Sequence, residues 1–431
     1  MKDLAVVGIG NMGISVLGAF LTKGLSCIAI DIDAVKVEEL ARGKSVVPEA
    51  GAEKIFQKAL AEHRLEASTE LARVQDAKAV FVGVQTPAEG EHCDYTVLVK
   101  VLSQLAECAP QGQALVVGST VFPGGIEKHM LAPLAARPDL ELIYEPVFLR
   151  AGFGIEDYQR PGKFIFGVKD PKNPPAVLNE LFHRVVECPA KVVTWQDAEW
   201  IKMVHNAWLC LKVSFANELD VLCKSYNADS KTVFDICFNE SKRGRLMTLA
   251  HMLPGPPYSG PCLPKDATIL QGIFKERAEP WMGGGILEAL KYSNDHFIES
   301  LIDRWIQAGK QSGKPLGLVG ISFRPGFNEI RCSLILPFLR RALEENLPVM
   351  GYDPAFEGIG EEDYLLACRQ NKELENYREC FSHSLEDVWK QCGVILLNRT
   401  FSPEELKLTQ YIQPQPQIID LYDNLLVRDN L

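Results

Sequence analysis

The sequence lacks long apolar runs, paired cysteines and clusters of basic residues. Without about 18 consecutive apolar residues, it contains no predicted membrane-spanning helix. None of the 12 cysteines has CxxC spacing, which argues against a metal site. A net charge of -11 without a basic run argues against nucleic acid and anionic membranes as partners. What remains is a chain of 431 residues, 47% of them hydrophobic, which is enough for two or three globular domains.

The cysteines and the amino-terminal residues predict a cytoplasmic protein. Residues 1–10 run directly into a strand and a glycine turn, without the pattern of a signal peptide. Thiols within apolar, periodic segments are typical of buried cysteines in a reducing compartment. Five cysteines fit this description: Cys27, Cys108, Cys210, Cys223 and Cys237.

The first 31 residues predict a strand, a glycine-rich turn, a helix and a second strand. The apolar runs Leu4 to Ile9 and Ser26 to Asp31 are the strands, and Gly8 to Gly13 reads GxGxxG. In that order the first glycine allows a tight turn, the second admits a pyrophosphate and the third lets the helix pack on the strand. The amino end of the helix then faces the phosphates.

The cofactor predicted for this turn is NAD. Asp31 lies 21 residues after Gly10, where a carboxylate accepts hydrogen bonds from the adenosine ribose and repels a 2'-phosphate. The expected contacts in this part of the chain are Gly8, Gly10, Asn11, Met12, Gly13, Asp31 and Lys36.

Four further apolar runs extend the predicted sheet, and two of the loops that follow them carry hydroxyl groups. Thr86 and Pro87 follow one strand, and Ser119 and Thr120 follow the next. These hydroxyls either contact the nicotinamide side of the cofactor or cap helices. The predicted strands are Ala79 to Val84, Ala114 to Gly118, Leu140 to Tyr144 and Lys163 to Val168.

A helix of about thirty residues is predicted from Asp197 to Asn227, since this apolar stretch contains neither proline nor glycine. Lys202 and Asn206 lie four residues apart on one of its faces, and so apolar a helix buries a lysine only at a cost. The lysine is therefore either functional or a surface residue whose charge reaches solvent. We expect this helix to link two domains and to form a homodimer interface.

A second strand–helix–strand unit begins near Lys314, but its loop Ser322 to Gly326 lacks GxGxxG. The predicted fold is therefore α/β, with two Rossmann-like doubly wound domains joined by a long central helix. The expected domains are an NAD-binding domain at 1–193, a helical linker and dimerisation domain at 194–305, and a C-terminal Rossmann-like domain at 306–431. We also expect a surface helical insert over 358–376.

Cys262 lies among glycines, prolines and charges, in Gly260-Pro261-Cys262-Leu263-Pro264-Lys265-Asp266. A thiol beside a lysine and an aspartate suits covalent redox chemistry. The alternative is a buried structural cysteine.

In this order the motifs resemble the UDP-glucose/GDP-mannose dehydrogenase family over essentially the whole chain. The segment Ser119 to Gly124 is most similar to the N-acetylhexosamine branch, and Cys262 to Asp266 to the UDP-glucose branch, so the branch stays open. Besides GxGxxG, the segments that carry the resemblance are Ser119-Thr120-Val121, Pro146 to Gly152, Ala198-Glu199 with Lys202 and Asn206, Asn217-Glu218, Cys262 to Asp266, Phe323-Arg324-Pro325, Ile330 to Ser333 and Tyr352-Asp353-Pro354.

The resemblance implies a four-electron oxidation of the C6 alcohol of a nucleotide sugar, with two NAD used in turn and a thiohemiacetal on Cys262. It also implies that the domain at 306–431 binds the nucleotide sugar. Lys202 favours the thiolate and, with Asn206, donates hydrogen bonds to the oxygen that gains charge. Asp266 accepts a proton or orients a water. The expected catalytic residues are Cys262, Lys202, Asn206, Asp266, Thr120 and Glu145. Further cofactor contacts are Thr86, Pro87, Thr120 and Arg331. Expected substrate contacts are Phe148, Leu149, Arg150, Lys202, Asn206, Arg243, Tyr258, Gly260, Phe323 and Arg324.

Two departures from the family concern hydrolysis of the thioester. Where the family has Pro-Glu-Phe-Leu-x-Glu-Gly, Val147 and Ala151 replace both glutamates, the first of which is the family's general base. Glu145 is the expected substitute if the chain stays extended there, because residues i and i+2 of an extended chain face the same way.

We expect oxidation of a UDP-hexose or UDP-N-acetylhexosamine to the uronic acid with an altered hydrolytic step. Three alternatives stay open. The reaction stops at the aldehyde or passes the thioester to another nucleophile, the chain is a 3-hydroxyacid dehydrogenase, or it is an inactive nucleotide-sugar-binding homologue.

Overall fold

The computed structural model describes residues 1–239, 254–277, 285–322, 333–356, 380, 384–412 and 415–422. The chain divides into two compact units, Met1–His205 and Asn206–Leu431. Both contain parallel sheets, so the predicted α/β fold class is confirmed. The boundaries of the three domains expected from the sequence stay predictions.

An eight-stranded sheet forms the centre of the first unit. In space its strands follow the order β3-β2-β1-β4-β7-β8-β9-β10, and every pair is parallel except β8 with β9. A separate hairpin of two short strands, β5 and β6, lies between β4 and β7 in the sequence. The strands of this unit are β1 Lys2–Val7, β2 Cys27–Ile30, β3 Leu65–Ser68, β4 Ala77–Val82, β5 Ala88–Glu89, β6 His92–Cys93, β7 Ala114–Val117, β8 Glu141–Tyr144, β9 Phe164–Val168 and β10 Ala190–Thr194.

The inner strands of this sheet are the ones that apolar runs predict, because both of their faces are covered. Every residue of β2, β7 and β9 is buried. The sequence did not predict β3 and β10, which lie at the two edges of the sheet and consist largely of half-buried residues. An edge strand exposed to solvent carries no continuous apolar run.

Six shorter helices belong to the first unit, and a seventh, the longest, begins in it and continues into the second. The predicted helix Asp197 to Asn227 is found at Trp195–Ser225. It ends where Asn227 takes a left-handed φ of 56° and the Ala228 N–H donates to the Cys223 carbonyl at 2.8 Å. The helices are α1 Asn11–Thr22, α2 Ala34–Ala41, α3 Ala52–Ala61, α4 Thr96–Cys108, α5 Gly154–Gln159, α6 Val177–Glu180 and α7 Trp195–Ser225.

The second unit contains a four-stranded parallel sheet in the order β12-β11-β13-β14. The sequence predicts a strand–helix–strand unit from near Lys314, and β11, α11 and β12 form one there. The predicted insert 358–376 lies outside the described residues. The elements are α8 Ser230–Asn239, α9 Leu263–Arg277, α10 Ile286–Ser312, β11 Leu316–Val319, α11 Ile335–Glu344, β12 Val349–Tyr352, α12 Leu385–Gln391, β13 Val394–Leu397, α13 Pro403–Tyr411 and β14 Gln417–Asp420.

No helix within the described residues is long and apolar enough to span a membrane.

Candidate active site

The glycine turn between β1 and α1 has the geometry that a dinucleotide requires. Gly8 has a φ of +90°, a backbone conformation that side-chain-bearing residues rarely adopt. A Cβ on Gly13 would lie 1.9 Å from the Gly8 carbonyl oxygen, whereas a Cβ on Gly10 would meet no atom within 4 Å. The space beside Gly10 and the amino end of α1, which no side chain caps, therefore suit a pyrophosphate. Asn11 and Met12 form the first turn of this helix.

Asp31 is held at the carboxyl end of β2, where an adenosine ribose is expected. Its Oδ2 accepts from the Ile9 N–H at 2.9 Å and its Oδ1 from the Asp33 N–H at 3.0 Å. The Lys36 ammonium lies 4.0 Å from Oδ2. Each carboxylate oxygen keeps a second lone pair for a ribose hydroxyl. These residues fit NAD.

The hydroxyls after β4 and β7 join the two loops to each other. Thr86 is buried and donates to the Thr120 carbonyl at 3.1 Å, and Ser119 donates to the Val84 carbonyl at 2.6 Å. The Thr86 and Ser119 hydroxyls thus bind loop carbonyls and cap no helix. Thr120 itself is half-buried, and Pro87 is exposed at the same edge.

Glu199 fixes the loop that follows β7, a role that the sequence did not predict. Its carboxylate accepts from the Gly124 N–H at 2.8 Å and the Ile126 N–H at 2.9 Å. Burial raises the pKa of this carboxyl, and the backbone hydrogen bonds oppose that shift. The signals in the sequence were an acidic residue within an apolar helix and its place in the Ala198-Glu199 segment of the family resemblance.

Lys202 lies in a cluster around the ring of Phe148. Its ammonium donates to the Val147 carbonyl at 2.7 Å and lies 4.8 Å from the ring centroid. The Lys163 ammonium lies 4.3 Å from the same centroid and 3.0 Å from Nδ1 of His205, whose ring packs edge-on against Phe148. Burial, and then the charge of Lys202, lower the pKa of Lys163. The sequence predicted Lys202 and Phe148 as site residues but missed Lys163 and His205.

Glu145 lies in a closed environment, with 2% of its surface exposed. Its N–H donates to the Val117 carbonyl at 2.9 Å, which extends the pairing of β8 with β7, and Tyr158 donates to its carboxyl at 3.1 Å. Tyr158 and Val147 belong to one hydrophobic cluster. Burial raises the pKa of Glu145 to about 8, and the Tyr158 hydrogen bond opposes the shift.

We expect the pKa of Glu145 to make stability depend on pH. Between its ordinary value of 4.5 and about 8, the folded chain keeps a proton that the unfolded chain releases, so the free energy of unfolding falls as the pH rises. Glu145→Gln removes this component, which is at most about 5 kcal/mol. Urea unfolding at pH 5 and pH 8.5 measures it, with the exposed Glu53→Gln as the control. If both variants lose equal stability over this interval, Glu145 is ionised in the fold.

Leu149 and Arg150 continue the Phe148 segment. Leu149 packs against the hydrophobic core of the first unit. Arg150 is exposed, but its guanidinium pairs with Asp157, with Nε 2.9 Å from Oδ2. A substrate phosphate would therefore compete with this carboxylate for Arg150.

In the second unit, Cys262 immediately precedes α9 and is exposed. Its carbonyl accepts the Asp266 N–H at 2.9 Å, the first hydrogen bond of the helix. Gly260, two residues earlier, has a φ of +86° and forms the turn that leads into it. The amino end of a helix favours negative charge, which suits a nucleophilic thiol.

Asp266, four residues after Cys262, forms a buried pair with Asn206 of α7. The Asn206 amide donates to Asp266 Oδ2, and Lys265 Nζ lies 3.5 Å from Oδ1. Among the described residues, Oδ1 accepts no hydrogen bond. Lys202 lies four residues before Asn206, one turn earlier on α7, so both residues lie on the same face of the helix.

Tyr258 is buried, with its N–H donating to Asn294 Oδ1 at 2.9 Å and its hydroxyl to the Leu290 carbonyl at 3.2 Å. Both hydrogen bonds hold the segment before Cys262 against α10.

Four predicted site residues lie outside the described residues: Arg243, Phe323, Arg324 and Arg331. Within the described residues, no group of three or more His, Cys, Asp or Glu side chains could hold a metal ion.

A Rossmann sheet with this glycine turn and this aspartate defines the class of NAD-dependent dehydrogenases. The chain belongs to the UDP-glucose/GDP-mannose dehydrogenase family, whose NAD-binding domain matches residues 2–186 and whose central domain matches residues 196–296. The resemblance found in the sequence and the NAD cofactor are thus confirmed.

Relatives of this chain are named for two different nucleotide sugars, UDP-glucose and GDP-mannose. It is 28% identical to the UDP-glucose 6-dehydrogenase AglM of Haloferax volcanii over 367 residues, covering 82% of this chain and 83% of the relative. It is 26% identical to a GDP-mannose 6-dehydrogenase of Pseudomonas putida over 367 residues, covering 81% of this chain and 80% of the relative. The fold is similar to that of a UDP-glucose dehydrogenase from Pyrobaculum islandicum, with a TM-score of 0.82, 21% identity and coverage of 99% and 96% of the two chains.

Proposed function

We propose that this chain oxidises the C6 alcohol of a nucleotide sugar, a UDP-hexose or a UDP-N-acetylhexosamine, to the uronic acid. The observation that carries the proposal is the exposed Cys262 at the amino end of α9, with the Asn206–Asp266 pair in the next helical turn. An NAD dehydrogenase that only interconverts an alcohol and a ketone needs no such thiol, whereas a thiol lets the oxidation of an aldehyde to an acid proceed through a covalent thiohemiacetal and thioester.

Each residue has one task in this reaction. Asp266 takes the proton of the C6 hydroxyl, and Lys202 and Asn206 donate hydrogen bonds to the oxygen. The Cys262 thiolate then adds to the C6 aldehyde, forming a C–S bond, and the oxygen takes up a proton to give the thiohemiacetal. Loss of hydride and of that proton leaves a thioester. NAD bound at the turn Gly8 to Gly13 would accept the hydride of the first oxidation, and a second NAD that replaces it there would accept the hydride of the other.

The last step is the one in which this chain departs from its family. Val147 cannot take a proton from water, because its aliphatic side chain has no basic group. The side chain packs in the core. Either another group activates the water or the thioester is slow to hydrolyse. This observation favours a second candidate reaction, which ends at the aldehyde after one hydride transfer.

A panel of UDP- and GDP-linked hexoses and N-acetylhexosamines, incubated with NAD, tests the proposal. NADH formed per sugar consumed is recorded together with the product mass. Two NADH and a carboxylate support the four-electron reaction, and one NADH with an aldehyde supports the second candidate. Absence of NADH with every sugar overturns both, and calorimetry with the same sugars then tests an inactive binding protein.

We also propose that α7 forms a homodimer interface. It exposes large apolar side chains at intervals of four residues, with Val204 61% and Trp208 55% exposed. Trp208→Glu is expected to convert a dimer to a monomer in sedimentation equilibrium, because the charge would be buried in the interface. Gln57→Glu, which adds the same charge at an exposed position of α3, is the control. An unchanged mass for Trp208→Glu contradicts this interface.

The cytoplasm is the proposed location. Its support is that Cys27, Cys210 and Cys392 are buried thiols that form no disulfide, as is typical of a reducing compartment.

A further inference from the structure

The loop that follows β7, residues 119–126 and here called the β7 loop, is bonded along its backbone by side chains of other elements. The Val121 N–H donates to the Tyr144 hydroxyl at 3.3 Å, and the Phe122 N–H donates to the Tyr95 hydroxyl at 2.9 Å. All four of these residues are buried. Since Tyr144 lies on β8 and Tyr95 directly precedes α4, two separate elements hold the loop.

Glu199 holds the same loop from a third element, α7. With 1% of its surface exposed, it accepts from the Gly124 N–H through Oε2 at 2.8 Å and from the Ile126 N–H through Oε1 at 2.9 Å. Each carboxylate oxygen thus accepts one backbone N–H. An amide of the same shape would present its own N–H donors to one of them. The two hydrogen bonds therefore require the carboxylate and not only a side chain of this size.

The β7 loop begins next to the glycine turn that suits the pyrophosphate of NAD. A Cβ on Gly118, the residue before the loop, would lie 2.9 Å from the sulfur of Met12, in the first turn of α1. β4 pairs with both β1 and β7, whereas Asp31 follows β2 on the other side of β1. A dinucleotide lies across the carboxyl ends of such strands. With the adenosine beside Asp31, the nicotinamide half is directed to the side of β4 and β7.

Thr120 is the residue of the β7 loop whose hydroxyl stays available to a ligand. It is half-buried, and its carbonyl accepts from the Thr86 hydroxyl at 3.1 Å. Within the described residues its own hydroxyl forms no hydrogen bond. A fixed backbone that carries an available hydroxyl is the arrangement of a preorganised contact.

Glu199 also joins the β7 loop to the part of α7 that carries Lys202. The two residues lie three positions apart, as neighbours on the helix surface. Lys202 donates to the carbonyl of Val147, in the segment that follows β8. Because β7 and β8 are adjacent and parallel, the first turns of α7 hold the segments that follow both strands.

We propose that Glu199 is a positioning residue for the nicotinamide half of NAD. Its carboxylate holds the β7 loop in the conformation that presents Thr120 to the cofactor, so binding need not order the loop. The proposal rests on the NAD cofactor and, for the part that the nicotinamide plays in sugar oxidation, on the proposed function.

Glu199→Gln, which keeps the shape of the side chain and removes its charge, tests this role with two ligands. NADH contains the nicotinamide ring, whereas ADP-ribose has the same adenosine, pyrophosphate and second ribose without that ring. In calorimetric titration we expect the Kd for NADH to rise about 10-fold or more and the Kd for ADP-ribose to stay within about 3-fold of its wild-type value. Hydrogen exchange at the amides of 124–126 should also be faster in the ligand-free variant, because one N–H loses its acceptor.

Gln113→Met is the matched control for lost stability. Gln113 is buried at the other end of β7, where its amide donates to the Val74 carbonyl at 2.9 Å and to the Ala77 carbonyl at 2.6 Å. Loss of these bonds should lower the melting temperature and leave the ratio of the two Kd values unchanged. Glu199→Asp keeps the charge on a side chain one methylene shorter, so we expect a smaller selective loss of NADH affinity. This variant decides the question if Glu199→Gln does not fold.

The Kd values separate this inference from the proposed function, because binding needs no sugar. Wild-type affinity for both ligands in Glu199→Gln, or equal weakening of both, would overturn the role of Glu199. A selective loss of NADH affinity in Gln113→Met would overturn it too, since lost stability would then explain the effect. If the wild-type protein oxidises no nucleotide sugar, the proposed function fails, and the Kd comparison still decides the role of Glu199.

Discussion

Replacing Cys262 by alanine is expected to abolish carboxylate formation, with a loss on the order of 10⁴-fold or more in the four-electron reaction. Without the thiol, the C6 aldehyde has no nucleophile to hold it while the second hydride leaves. Cys262→Ser should be nearly as inactive, because a serine hydroxyl is a far weaker nucleophile than a thiolate. NADH per sugar and product mass are the measurements.

A second exposed cysteine supplies the control for this prediction. Cys237 lies on α8, and Cys237→Ala removes an accessible thiol without touching the turn before α9. We expect it to retain wild-type turnover. Full activity in Cys262→Ser would contradict a thiol mechanism and favour a 3-hydroxyacid dehydrogenase, which needs no cysteine.

Alanine at Gly10 and alanine at Gly13 are expected to fail for different reasons, although both change one glycine of the same turn. A Cβ at Gly10 meets no protein atom within 4 Å, so Gly10→Ala should fold like the wild type. The same Cβ fills the space into which the pyrophosphate must come, and we expect the Kd for NAD to rise at least about 10-fold.

At Gly13 the obstacle is the protein itself. The added Cβ would lie 1.9 Å from the Gly8 carbonyl oxygen, so α1 must move away from β1. Gly13→Ala should therefore lower the melting temperature as well as the NAD affinity. Calorimetric titration with NAD and thermal unfolding of both variants are the measurements. A Gly10→Ala protein with wild-type NAD affinity would show that the cofactor does not approach this turn.

The sequence predicted the inner strands and the long helix because each of these elements has a characteristic composition within one continuous segment. A strand covered on both faces is a continuous apolar run, as in β7 and β9, and thirty residues without proline or glycine favour a helix such as α7. The edge strands β3 and β10 gave no comparable signal, since half-buried residues need no apolar run.

The glycine turn and the proposed nucleophile could also be predicted, because each lies within a short segment. The turn Gly8 to Gly13 with Asp31, and the run around Cys262, carry their chemistry in local order. Lys163 carries no such local pattern, and the segment Ala198-Glu199 does not indicate which backbone groups Glu199 binds. Lys163 meets His205 over a separation of 42 residues, and Glu199 meets Gly124 over 75.

The sequence by itself determined three features. These are the NAD turn, the placing of Lys202 and Asn206 on one helix face, and the valine at position 147 where the family has a glutamate. Only the tertiary structure decided the surroundings of the titratable side chains near Val147. It encloses Glu145 beside Tyr158 and places Lys163 next to a second lysine and a histidine. The physical reason is that residue type sets which proton a side chain can hold, whereas burial and neighbouring charges set the pH at which it releases that proton.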